Sequence, residues 1–172
     1  MTWLTHTTVA YFLSSLFGLP PGPAIAGSTA PDWTEDIFGV NEHRGKTHYV
    51  TLWSSLFLIS LVLYLSLPQS SWRELPYYLL SFSFGGLTHL LTDALTVSGV
   101  PLGVSNIRVR IGGLIRTGKL SEWVFLAICL LVFYPLSMSG SLEIGFSKYR
   151  TLYRENVIDR KEYFERRFKI FE

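Results

Sequence analysis

Three stretches of this chain contain no Asp, Glu, Lys or Arg: residues 1–31, 49–72 and 123–142. No other feature constrains the fold as strongly. A soluble domain of 172 residues needs charge along such stretches to stay dispersed, yet charged residues make up only 16% of this one, against a usual share of about 25%. A membrane helix needs about 20 mostly apolar residues. Residues 49–67, 77–97 and 123–142 each meet that requirement, and Asp93 is the one acid among them. The alternative is a set of buried helices in a soluble bundle, but three such segments exceed what a small core holds. The sequence therefore predicts an all-α fold, a polytopic membrane helical bundle.

The first charge-free stretch is broken. Pro20, Pro21 and Pro23 flank Gly22, and proline inside a helix removes a hydrogen bond and clashes with the preceding turn. The expected arrangement is a broken helical hairpin: a helix over about 3–18, a turn, and a shorter helix over about 23–30. The second arm would retrace the first and carry Asp32 back toward the level of His6. A signal peptide fits less well, because no Lys or Arg precedes the apolar run. The chain length suits one domain. Residues 1–145 would form its membrane-embedded part, and residues 146–172 a charged helical tail lying on a surface or in the cytosol.

Net charge is +2, which gives no general nucleic-acid-binding surface, and no nucleic-acid partner is expected. Cys129 is the only cysteine, so no intrachain disulfide can form. The basic residues near the spans are almost balanced between the two faces, with a small excess on the tail side. By the positive-inside tendency, the tail would be cytoplasmic and the face carrying His48 would point outward.

All four histidines, His6, His43, His48 and His89, lie in the first 89 residues and can be placed on or just inside one face. His89 and Asp93 are spaced i, i+4, which puts both on one face of a helix. A carboxylate in an apolar span is costly unless it is paired or bound to a cation. His43 and His48 bracket Arg44, Gly45, Lys46 and Thr47. They suit a loop that enters the next helix, with Gly45 supplying the bend and Thr47 a possible N-cap. Pro31-Asp32, followed by Glu35 and Asp36, ends the hairpin. Each piece has a bland reading alone: a helix–helix hydrogen bond, an interfacial loop, ordinary turn chemistry. Together they bring imidazole and carboxylate to one side, a donor set that suits zinc, manganese or iron.

In this order, His6, Pro31-Asp32, His43-Arg44-Gly45-Lys46-Thr47-His48, and His89 with Asp93 followed by Leu95-Thr96 and Gly99-Val100-Pro101-Leu102 resemble the YdjM-type (DUF457) family of membrane-bound, metal-dependent hydrolases. That family is distantly similar to the zinc-dependent phospholipase C and P1 nuclease group. The resemblance covers roughly residues 1–103. It implies a bacterial inner (cytoplasmic) membrane protein that holds one or two divalent ions, most simply zinc, and hydrolyses phosphoric esters. His6, Asp32, His43, His48, His89 and Asp93 would be the metal ligands. The chain departs from the family twice. Thr34 stands where a second Asp is common, leaving Glu35 or Asp36 as a ligand or general base. No His follows His89, which argues against a third ion.

On this reading Arg44 and Lys46 would bind phosphate, Arg44 by its planar fork and Lys46 as a point charge. A membrane lipid would be the substrate. Two other readings remain open. One is a non-enzymatic accessory subunit of a membrane assembly, with a closed structural metal site. The other is an ion transporter, which would need a polar path through to the opposite face.

Overall fold

The proline cluster that breaks the first apolar stretch ends one helix and starts the next. In the computed structural model, which describes residues 1–38, 44–67, 73–104 and 107–138, α1 spans Trp3–Leu16 and α2 spans Pro21–Phe38. Pro21 opens α2 at no cost, because the first N–H groups of a helix lack intrahelical partners. Gly18 takes φ 65° in the reversal, a conformation that glycine adopts freely. The hairpin is present, but its second arm is longer than the sequence suggests. It continues through Pro31, so Asp32, Glu35 and Asp36 stand on a helix and not on a turn. Packing overrides the local preference here. α2 lies against α4 so closely that a Cβ at Gly27 would overlap the backbone of Phe82, and one at Gly85 would overlap that of Ala24.

The three expected spans appear as α3 (Val50–Ser66), α4 (Glu74–Ala94) and α5 (Leu120–Met138). Among the described residues no helix is long and apolar enough to cross a membrane. The expectation of full-length spans is corrected to that extent, and the reasons are physical. α3 has 17 residues, about 25 Å at 1.5 Å per residue, against a hydrocarbon core of about 30 Å. α4 spends much of its length on buried Ser81, Ser83, Thr88, His89, Thr92 and Asp93.

α4 is the central element, contacting α1, α2 and α3, and α5 packs on α1. The described residues are mostly helical, with a small departure from all-α. The Gly- and Arg-rich connection after α4 forms a small antiparallel pair, β1 (Val100–Pro101) with β2 (Arg108–Val109), in the register Val100 to Val109. Two apolar clusters hold the bundle. Ala30, Trp53, Leu90, Ala94 and Val100 pack at the β-pair end, and Tyr64, Tyr77 and Leu80 at the other. His43, the 145/146 boundary and the charged tail of 146–172 lie outside the described residues.

Candidate metal centre

Four segments meet at the end of the bundle that carries the β-pair. α1 brings His6, α2 brings Asp32 and Glu35, a 3-10 turn over Lys46–His48 brings His48, and α4 brings His89 and Asp93. The turn is placed by its neighbours. Arg44 before it has φ 63°, a left-handed conformation that costs a non-glycine residue roughly 1–2 kcal/mol. The bend therefore falls on Arg44 and not on Gly45. Its guanidinium offsets the strain with an ion pair to Asp93 Oδ1 at 2.9 Å and hydrogen bonds to Thr96 Oγ1 and the Gly99 carbonyl. Trp53 donates from its indole to the Thr47 carbonyl at 2.8 Å, and its ring fills the space that a Cβ at Gly86 would need. Tyr49 occupies the N-cap of α3 without a side-chain cap bond. Thr47, the expected cap, donates its hydroxyl to Glu35 instead.

Each described imidazole has its Nδ1 facing an acceptor. His89 Nδ1 is 2.6 Å from the Ser28 carbonyl. His48 Nδ1 is 2.8 Å from Glu35 Oε1, a carboxylate that also accepts from the Gly45 N–H and the Thr47 hydroxyl. His6 Nδ1 is 2.7 Å from Thr92 Oγ1, whose hydrogen is directed at backbone carbonyls of its own helix. With the proton on Nδ1 in all three rings, Nε2 carries a bare lone pair. This is the arrangement that orients metal-binding histidines, a second partner fixing tautomer and ring angle.

The Nε2 atoms converge. His48 and His89 Nε2 are 3.1 Å apart. Asp32 Oδ1 lies 3.3 Å from the first and 3.6 Å from the second, and Asp93 Oδ2 lies 3.6 Å from His89 Nε2. His6 Nε2, 3.5 Å from Asp93 Oδ1, is a buried nitrogen without a hydrogen-bond partner among the described residues. Its ring stacks on that of His89 with centroids 3.8 Å apart. With that tautomer the facing lone pairs repel, and a cation between them would relieve the repulsion. Ligand atoms of a tetrahedral zinc site lie about 3.3 Å from one another when each is about 2.0–2.1 Å from the metal, close to the separations found here. Among the described residues two groups could hold a metal ion: His6 with His89 and Asp93, and Asp32 with His48 and His89, the ligand atoms of each within 4.8 Å. His89 offers one lone pair to both, so it serves one ion at a time.

The remaining sequence candidates are placed differently. Glu35 is buried and holds His48. Arg44 is buried and holds Asp93, which also meets the Met1 amino group. Asp36 and Lys46 are exposed. Asp32 is the most open of the described candidate ligands, at 19%, and its second oxygen accepts from the Trp3 indole. Sequence reasoning missed Ser28, Thr92 and the orienting role of Glu35. The signal was there: Ser28, Asp32 and Glu35 fall at i, i+4 and i+7, one face of a helix once α2 is read through Pro31. No protein-family model, curated protein or solved structure matches the chain.

Proposed function

We propose that this chain is a membrane-embedded, metal-dependent hydrolase of phosphoric esters, acting on a lipid head group with one or two ions, zinc first among the candidates. One observation carries the reading. Three imidazoles, each with Nδ1 against an acceptor, turn their Nε2 atoms on two carboxylates. The donor chemistry fits zinc, with manganese and iron next. The order of motifs that resembles the YdjM-type hydrolases supports the reaction class.

A divalent cation on these donors would supply Lewis acidity toward a phosphoryl oxygen and a water. The chain's own groups do the rest. His6, His48, His89, Asp32 and Asp93 hold the ion, with His43 a further candidate. Glu35 and Arg44 position His48 and Asp93. Asp32, on the open side, leaves the approach from which water and substrate arrive. Lys46 and Asp36 stand exposed beside the same turn and helix, Lys46 suited to a phosphate and Asp36 to a proton.

The bilayer is supported by an inside-out distribution. His6, His48, His89, Asp93, Glu122 and Arg44 are buried, while Leu58, Ile59 and Val62 on α3 and Ile128 and Leu131 on α5 are more than half exposed. Apolar surface of this extent marks contact with a membrane or partner, and intramembrane polar groups turn to the bundle interior. On this reading the chain resides in a bacterial inner membrane with its tail in the cytoplasm.

The test is elemental analysis of purified protein, then incubation with a panel of phospholipids and detection of products by mass spectrometry. Stoichiometric metal with metal-dependent release of a head group is expected. Metal without turnover of any lipid favours the accessory-subunit reading, with a structural ion.

A further inference from the structure

The connection between α4 and α5 presents a surface that hydrolysis does not use. From residue 107 to residue 120 it has no Asp or Glu. Arg108, Arg110, Arg116 and Lys119 are all exposed on it. None pairs with a carboxylate among the described residues, and Arg108 reaches only the Ser98 carbonyl. Between these cations stand large aliphatic side chains facing outward: Ile107 at 60%, Leu114 at 82% and Leu120 at 77% exposure.

The segment is fastened to the bundle. The Ile111 N–H donates to the Ala94 carbonyl at 2.7 Å, the Ile115 N–H to that of Leu95, and the Val97 N–H to that of Ile115. Gly112 and Gly113, at φ 74° and 58°, make the reversal that side chains other than glycine resist. The anchoring carbonyl of Ala94 belongs to the residue after Asp93, so the segment is fastened to the same end of α4 that carries two candidate ligands of the metal centre.

A nucleic acid or a uniformly acidic protein surface would satisfy the cations and leave the aliphatic groups in water. An aqueous setting would satisfy only the cations. A bilayer interface offers phosphate at one level and acyl chains just below it, the two environments this alternation needs. We infer that residues 107–120 form an interfacial anchor whose aliphatic groups insert among lipids and whose four cations gather anionic phospholipid around the metal centre. The inference rests on the bilayer reading above and does not need hydrolysis. It adds a preference for anionic lipids.

The experiment uses the full chain in lipid nanodiscs of phosphatidylcholine with increasing phosphatidylglycerol. A fluorophore is attached through Leu114→Cys, with Cys129→Ala removing the native thiol. A second protein carries the label through Val62→Cys, on the exposed face of α3. Both labels should be quenched by nitroxide-bearing lipids. Quenching at position 114 should rise with phosphatidylglycerol and fall at high salt, since the Debye length shrinks. Arg110→Gln, Arg116→Gln and Lys119→Gln together should abolish the dependence on phosphatidylglycerol. Quenching at 62 without quenching at 114 overturns the anchor and leaves the bilayer reading standing. Absence of quenching at both positions overturns both. Quenching at 114 that ignores lipid charge overturns the preference for anionic lipid.

Discussion

A histidine hydrogen-bonded through Nδ1 can bind a cation only through Nε2, and the cluster is built residue by residue on that asymmetry. His89 and Asp93 are each central to it, so His89→Ala and Asp93→Ala should each abolish stoichiometric metal in elemental analysis. Metal retained by the double variant would sink the assignment. Glu35 acts at one remove. Glu35→Gln keeps the shape but weakens the acceptor at His48 Nδ1, and should lower metal affinity roughly 10–100-fold in chelator competition, with the fold and the helical circular-dichroism signal kept. Arg44 is a different case. Its charge is 6% exposed against an Asp93 that is 2% exposed, and removing one member of a buried pair costs on the order of 3 kcal/mol. Arg44→Ala should therefore lower the thermal unfolding midpoint even in metal-free protein, whereas Glu35→Gln should act mainly on the metal-bound form.

At the scale of elements, the geometry of the candidate site depends on how closely α2 approaches α4. Ser28, Asp32 and Glu35 ride on α2, and His89 and Asp93 on α4, so the spacing between the two helices sets the ligand separations. Gly85 has no room for a side chain against Ala24. Gly85→Val should force the helices apart at a cost of about 3 kcal/mol and lose metal with every ligand still present. Gly22, in the first turn of α2, has open space around it. Gly22→Ala should be neutral or stabilising by about 0.5–1 kcal/mol, with full metal content. Equal loss of metal in both variants would show that the approach of α2 to α4 does not set the site. α5 is tied in by one carboxylate: Glu122 accepts from the Thr2 N–H, the Thr2 and Thr5 hydroxyls and the Gly118 N–H.

For the whole molecule, two properties are coupled. On the proposed reading the polar groups are inside because an ion and its orienting shell would need them, and the apolar groups outside would then need lipid. The chain should stay in the membrane pellet after an alkaline carbonate wash, and its release into the supernatant would remove the bilayer from the reading. Because a ligand that binds only the folded state stabilises it by mass action, added zinc should raise the unfolding midpoint of the detergent-solubilised protein. Acid should reverse this, since imidazole must be unprotonated to bind metal. The sequence by itself determined the helical character, the hairpin broken at the prolines and the residue types of the cluster, because apolar runs, prolines and an i, i+4 His–Asp pair are local signals. It also marked Asp32, His48, His89 and Asp93 for one face. Local signals could not reveal that α2 runs on through Pro31, that Glu35 serves His48 or that Arg44 turns inward to Asp93. Those were decided only where Gly27 and Gly85 let two helices touch, because the partners are distant in sequence and meet only after packing has set the distance between them.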